Sequence, residues 1–364
     1  MLRMAFGKGF KARMMKLVAI YSIVLLAGLL FAVAIAYLNG IEYGETLRAL
    51  VIEPFSSILN ISEIFVRFIA IYTIAIGVAI AYRAGLWNIG GEGQFLVGAV
   101  LTLIAAKYIP FISPALNLAA MMILAVVGGA LWALVPAVLK ARYGGSEIVT
   151  TLMLNIVAAS FTLYALDGPI RGQASFGYLI SDVLPEELRL PIILSYPQIQ
   201  DGSVVWVDTR LSVAIYITLA IAAIAYIVVE RSHYGLILET LRKGWDTARY
   251  AGVRVYRTVI VSMLVAGALA GLAGFLHVAG VLHRFDSGQI DHGFGYLAIL
   301  AAVMGRGHII GTLLSSLFFS IVLIGAENLR AEAGGAYSLV WSVVGVMMML
   351  IALREYLESK LKLR

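Results

Sequence analysis

Long apolar runs, separated by short polar or glycine-rich segments, dominate the chain. A helix that crosses a bilayer needs roughly 20 mostly apolar residues. The runs of that kind are Leu17–Leu38, Ile61–Ala81, Ile89–Ala106, Asn117–Leu139, Glu147–Leu166, Leu211–Val229, Thr258–Val281, Ile309–Ala326 and Tyr337–Leu353, with a shorter one at Gly293–Met304. The pattern predicts an all-α, polytopic integral membrane protein with about ten transmembrane helices. The third and eighth runs, Ile89–Ala106 and Gly293–Met304, carry the weakest signal. The basic residues before Leu17 (Arg3, Lys8, Lys11, Arg13 and Lys16) resemble the start of a signal peptide, but the run that follows is too long for one. It reads as a retained helix.

Two polar interruptions stand out. The first is Tyr82-Arg-Ala-Gly-Leu-Trp-Asn-Ile-Gly-Gly-Glu-Gly-Gln94, and the second is His283-Arg-Phe-Asp-Ser-Gly-Gln-Ile-Asp-His-Gly-Phe-Gly295. Each follows a long run, and the two preceding helices are expected to cross in opposite directions. Broken helices in corresponding halves of an inverted repeat are a sequence pointer to a transport site. Irregular backbone at membrane depth is tolerated only inside protein or along a water-filled path.

Composition narrows the class. Apolar residues make up 61% of the 364, and mean hydropathy is +0.94, against about 45–50% apolar in soluble domains. Charged residues are 13%. A soluble enzyme, a nucleic-acid-binding domain and a disordered chain are excluded. The absence of cysteine excludes a disulfide scaffold. The net charge of +6 matters through its distribution, because basic residues gather in cytoplasmic loops. Residues 230–257 hold six Lys or Arg and three acids, Lys140 and Arg142 flank one turn, and the tail 354–364 carries four basic residues. Ten crossings place all three on the side of the N-terminus. The opposite side is acidic, with six acids and three Arg in 167–210. The organisation expected is a tail, first helix and outer loop over 1–60, a permease core over 61–353, and a cytoplasmic tail over 354–364. Within the core lie an outer loop (167–210) and a cytoplasmic loop (230–257), and both termini are cytoplasmic. The outer loop is long enough to fold into short pieces of its own.

Candidate chemistry concentrates at the first interruption. Asn88, Glu92 and Gln94 bring donors and acceptors to the mouth of a span, among glycines that can bend the chain. A carboxylate beside a span is a functional candidate; it also suits a helix N-terminus as a cap. Glu147, Thr151 and Asn155 fall on one helical face, where Asn155 either bonds a neighbouring helix or lines a polar path. His277 reads as a packed or interfacial side chain and not as a ligand. No group of residues has metal-ligand spacing, and no Gly-rich nucleotide loop ending in Gly-Lys-Ser/Thr occurs. The chain is therefore not expected to hydrolyse ATP or to hold a cofactor. Glu239–Gly252 reads as two short helical pieces hinged at Gly244, amphipathic and basic. Such a segment binds anionic lipid or docks a protein, for which Ala248, Ala251 and Gly252 permit close contact.

These segments resemble the membrane permeases of ABC importers for nucleosides and simple sugars, relatives of the branched-chain amino acid permeases. Gly85-Leu-Trp-Asn-Ile-Gly-Gly-Glu-Gly-Gln94 is similar to their GLFNIGAEGQ signature, and Ser146-Glu-Ile-Val-Thr-Thr-Leu-Met-Leu-Asn155 to NEVVSTLMLN. Leu241–Gly252 resembles their coupling loop, and Gly293-Phe-Gly-Tyr with Met304-Gly-Arg-Gly-His308 their last conserved block. The match covers roughly residues 60–350. Trp87, Gly91 and Asp246-Thr-Ala depart from the pattern, as does the lack of Phe-Asp-Gly after Gly293.

The resemblance implies a substrate pathway through Asn88, Glu92, Gln94, Glu147, Thr151, Asn155 and Phe294. It implies an ATPase-coupling loop through Leu241, Arg242, Gly244, Asp246, Thr247, Ala248, Arg249 and Gly252. The partners implied are a separate ATPase subunit, a second permease subunit, an extracytoplasmic substrate-binding protein and a small-molecule substrate, in a prokaryotic plasma membrane. A nucleoside or related nucleobase compound is the expected cargo, and a pentose or other simple sugar the alternative. An ion-coupled secondary transporter needs buried ionisable groups; the span interiors look nearly free of charge, with Glu92 the one good candidate.

Overall fold

A computed structural model describes residues 41–332 except 174, 201 and 202, with isolated positions on either side (30, 31, 33, 34, 37, 345 and 349). The expected spans Leu17–Leu38 and Tyr337–Leu353 thus lie almost wholly outside the described residues, and the tail 354–364 entirely so.

The elements are α1 (Tyr43–Leu47), α2 (Ile58–Arg83), α3 (Gly91–Tyr108), α4 (Pro114–Tyr143), α5 (Glu147–Asp167), β1 (Ser195–Gln200), β2 (Ser203–Asp208), α6 (Ala214–Tyr226), α7 (His233–Lys243), α8 (Trp245–Tyr250), α9 (Val255–His277), α10 (Phe294–Met304) and α11 (Ile309–Glu332). Every apolar run that falls among the described residues carries a helix. Six are long and apolar enough to cross a membrane: α2, α4, α5, α6 extended to Arg231, α9 extended to Leu282, and α11. Two fall short, and they belong to the runs with the weakest sequence signal. The first turn of α3 is occupied by Gly91, Glu92, Gly93 and Gln94, and α10 has only 11 residues.

The all-α expectation needs one correction. β1 and β2 form an antiparallel hairpin, with Ser195 opposite Asp208 and Gln200 opposite Ser203. The run Val204-Val-Trp-Val207 has the β-branched and aromatic character of a strand, and the sequence between the strands, Asp-Gly, is one that tight hairpins favour.

Contacts divide the chain into residues 1–61 with 321–364, and residues 62–320. In the first unit Ile41, Ala49 and Leu329 form a small buried cluster, with Leu50 packed on it. The second unit holds the remaining features. Its centre is α2 and α9, with 89% and 67% of their apolar windows buried, against 28% for each of α4, α5 and α6. Those three turn wide apolar faces outward, as lipid-facing helices do. The central helices approach closely because glycine permits it: a Cβ on Gly77 of α2 would stand 2.8 Å from the Ala266 Cα of α9.

Candidate functional site

The first interruption begins where α2 stops. Gly85 adopts φ +78°, and its amide bonds Tyr82 O while Leu86 N bonds Ala81 O, both at 3.0 Å. This is a Schellman stop, which glycine's left-handed conformation allows. Beyond it the backbone has no helix partners, and buried backbone groups need them. One face of α5 supplies them. The Ile89 amide donates to Thr151 Oγ1 at 3.2 Å. Asn155 accepts from the Gly93 amide and donates to Ile89 O, each at 2.9 Å. It also lies 3.3 Å from the Tyr296 hydroxyl. Glu147 accepts from Trp87 N at 3.5 Å, and more firmly from Lys140 Nζ at 2.8 Å. Glu147, Thr151 and Asn155, which their spacing put on one helical face, thus all bond to the break.

Asn88 and Gln94 bond one another. Asn88 Nδ2 donates to Gln94 Oε1 at 3.0 Å, and Gln94 Nε2 to Asn88 Oδ1 at 3.1 Å. Both are 1% exposed. The Gly90 amide completes the pair by donating to Asn88 Oδ1 at 3.1 Å.

Glu92 joins the two interruptions. Its Oε2 accepts from the Gly295 amide at 2.6 Å. The carboxylate therefore sits in the first turn of α3 and at the first turn of α10, where both helix dipoles favour an anion. The two helices meet N-terminus to N-terminus at a contact only glycine allows: a Cβ on Gly295 would fall 2.1 Å from Glu92 N. From there α3 runs about 27 Å and α10 about 16 Å. At the far end of α3, Lys107 Nζ and Tyr108 Oη donate to the Arg171 and Pro169 carbonyls of the 167–210 loop. At the far end of α10, His308 meets Glu230 of the 230–257 loop. Phe294 is buried beside the junction, its ring 5.8 Å from Phe95 and 5.1 Å from His277. His277 is packed among these rings, as the sequence suggested.

The second interruption is held differently. The long loop 167–210 lies against it: Ser181 N bonds Phe285 O, Phe285 N bonds Ser181 Oγ, Leu184 N bonds His283 O, Leu190 N bonds Ala279 O and Ser287 N bonds Leu179 O. This loop exposes Phe176, Tyr178 and Trp206.

In the 230–257 loop, α7 and α8 meet at Gly244, with φ 146° and ψ 144°. Leu241 and Ala248 are buried within the chain, whereas Arg242, Asp246, Thr247, Arg249 and Gly252 are exposed. Leu241 and Ala248 are therefore packing residues of this chain and not part of the exposed surface expected for docking. Both side chains lie inward because α7 and α8 pack those faces against their own chain. Asp246 and Arg249 pair at 3.1 Å in the open.

Sequence reasoning missed two charged clusters. Glu63 and Arg67 lie in α2, and Glu63 also takes Arg210 in a two-pronged bond at 2.7 and 2.5 Å. The span is less free of charge than its composition suggested; the signal was an acid and a base four residues apart. Arg83 closes α2 and bridges Glu230 at 3.1 Å and Glu239 at 2.7 Å. Nothing local in the sequence announces those distant partners.

Known proteins resemble the chain across this core. Residues 60–353 match the family described as branched-chain amino acid transport system / permease component. The chain is 30% identical over 334 residues to the guanosine ABC transporter permease protein NupP of Bacillus subtilis, covering 91% of each. It is 28% identical over 287 residues to the nucleoside ABC transporter permease protein NupB of Lactococcus lactis, covering 79% of this chain and 77% of that one. It is 27% identical over 327 residues to the glucose ABC transporter permease protein TsgB13 of Haloferax volcanii, covering 90% of this chain and 84% of that one. With membrane-length helices, two broken helices joined at Glu92 and a family match across its core, the chain belongs to the branched-chain amino acid transport system permease family and is a transport subunit.

Proposed function

We propose that the chain is the transmembrane subunit of an ABC importer that moves a nucleoside or related nucleobase compound across a prokaryotic plasma membrane. The likeness to the guanosine and nucleoside permeases carries the cargo reading. A simple sugar is the second reading, favoured by the likeness to the glucose permease. A separate subunit binds and hydrolyses ATP, a second permease completes the pore, and an external binding protein delivers the ligand to the face of the 167–210 loop. About ten spans in an inverted repeat, with both termini cytoplasmic, fit the basic 230–257 loop and the acidic 167–210 loop.

In this reading the junction of α3 and α10 lies on the ligand's path. Asn88 and Gln94 bond each other, so they can exchange that pair for a ligand's hydroxyl or amide groups at little cost. Glu147, Thr151 and Asn155 hold the bend beside them, Glu92 holds the two helix ends together, and Phe294 supplies an apolar wall. The outward residues of α7 and α8, with Gly244 as their hinge, form the ATPase-docking surface.

Uptake of labelled guanosine and labelled glucose into vesicles containing the reconstituted importer tests the cargo. Guanosine uptake that needs ATP is expected, with Asn88→Ala reducing it at least about fivefold through lost hydrogen bonding. Glu92→Gln should retain more uptake than Glu92→Ala, because an amide oxygen still accepts from Gly295. Uptake of glucose alone would shift the assignment to the sugar reading. Equal loss in both Glu92 variants, with uptake that follows an ion gradient and not ATP, would point to a secondary transporter.

A further inference from the structure

The ion pair between Arg83 and Glu239 is lopsided. The two lie 2.7 Å apart, yet the arginine side chain is 10% exposed and the glutamate side chain 48%. Arg83 has a second and deeper counter-charge in Glu230, at 3.1 Å and 14% exposed. Glu230 is fixed in turn, since it accepts from the Ile309 amide at 3.1 Å and lies 3.2 Å from His308 Nδ1. Arg83 would therefore stay neutralised if Glu239 swung away. An exposed pair of the Glu239 kind contributes little stability and is weakened by salt.

Glu239 borders a cleft of about 380 Å³, which Arg83, Arg242, Lys243, Arg306 and His308 also line. Cations outnumber acids there. The turn that opens the first interruption adjoins the cleft through Arg83 and Arg242. The guanidinium of Arg242 lies 4.9 Å from the Tyr82 ring centroid, and Tyr82 meets Trp87 edge-on at 5.4 Å. A Cβ on Gly85 would come within 3.2 Å of the Arg242 Cα. The backbone of α7 and the start of the glycine-rich break are thus in direct contact, and Arg83 stands two residues before Gly85.

We propose that an acidic side chain of the ATPase subunit enters this cleft and takes the place of Glu239 on Arg83. The proposal rests on the reading of α7 and α8 as the ATPase-docking surface. The positive lining draws a carboxylate in, and the exchange breaks only the exposed half of the Arg83 cluster. Glu239 is released while the Arg83–Glu230 pair persists. Because α7 touches Gly85, a shift of α7 on docking carries the turn at the head of the break with it. Arg83 is then a positioning residue for coupling, acting through the turn that leads to Asn88.

The test uses the complex of this chain with the ATPase that co-purifies with it, at low and physiological salt. Affinity of the ATPase is measured for wild type, Glu239→Gln and Lys243→Glu, with melting temperature of each permease as the folding control. Thr247→Cys, in this cysteine-free chain, reports cross-linking to the ATPase. Glu239→Gln should bind about three- to tenfold more tightly, since the competitor is gone, and Lys243→Glu about tenfold more weakly, with a flatter salt dependence. Glu239→Gln should also change the number of ATP molecules hydrolysed per substrate moved, which a purely structural pair would not. If Thr247→Cys cross-links but both variants bind as wild type does, the exchange is wrong and the docking surface stands. A bound ATPase that never cross-links at Thr247 removes the docking surface and the exchange together. Should Lys243→Glu lose affinity for phosphatidylglycerol vesicles while its ATPase affinity is unchanged, the cleft is a lipid site and the proposal falls.

Discussion

The two interruptions look alike in sequence and are secured by different means. Each is a polar, glycine-bearing break after a long apolar run. From Asn88 to Gln94 the first is packed among the helices, and side chains of α5 satisfy its backbone: Thr151 for Ile89 N, Asn155 for Ile89 O and Gly93 N. The second lies under the 167–210 loop and is satisfied largely by backbone bonds to it, such as Ser181 N to Phe285 O at 2.8 Å and Leu184 N to His283 O at 2.6 Å. The two meet where Glu92 takes the Gly295 amide, beside the close approach of Gly91 and Gly295. One break is therefore set by residue identity, and the other by the path of a distant loop. Substitutions should damage the first more than the second, and most of all the point where they touch.

The largest effect is expected at that point. Gly295→Ala places a methyl group 2.1 Å from Glu92 N, and no rotamer relieves a clash with backbone. The start of α10 has to move and the Glu92 bond stretches, at a cost at or above the about 1–3 kcal/mol usual for overpacked sites. A melting temperature in detergent equal to wild type would mean that the two N-termini are not held in contact.

Next is Asn155→Ala. It leaves the Gly93 amide and the Ile89 carbonyl without their partner inside the protein, at about 1–3 kcal/mol for each unsatisfied group. A cysteine reporter at Ile89 should become more reactive to thiol reagent in the Asn155→Ala background. Unchanged reactivity and melting would show that the break holds itself.

This dependence on identity explains what was legible. Glu147, Thr151 and Asn155 could be placed on one face because they are local to one helix, and the stop at Gly85 and the hinge at Gly244 follow from single residues. The tie between the 167–210 loop and the second break was not legible, because it runs through backbone groups that any sequence carries. Arg83 with Glu230 and Glu239, and Glu63 with Arg210, join residues about 150 positions apart, and spacing says nothing over such distances. Ala248 misled for a related reason: a small residue on an amphipathic helix suits a partner's surface or its own chain equally well, and packing chose the latter.

A smaller effect should follow at the second break. Ser181→Ala removes the acceptor of the Phe285 amide, 2.9 Å away, while the backbone bonds beside it remain. A loss of about 1 kcal/mol is expected, with transport nearly intact. Loss as large as that of Asn155→Ala would erase the contrast between the two breaks.

The smallest effect concerns protonation at the same place. His283 opens the second interruption with φ +57°. Burial, and then the positive charge of Arg189, hold its pKa below the ordinary value of 6.5, partly offset by a hydrogen bond to the Ala279 backbone. A proton is therefore bound more readily in the unfolded chain than in the folded one. Stability from the neutral ring is complete above the unfolded value of about 6.5. It is lost as pH falls from there toward the lower folded value, since stability rises with pH wherever the unfolded state holds more protons. His283→Asn tests this cleanly, because asparagine tolerates the left-handed backbone and does not titrate. The wild type should lose more melting temperature between pH 7.5 and 5.5 than the variant does, by a degree or two at most because the ring is only partly buried. Parallel curves would mean that the second break is indifferent to this charge, and that its security lies in the backbone bonds to the 167–210 loop alone.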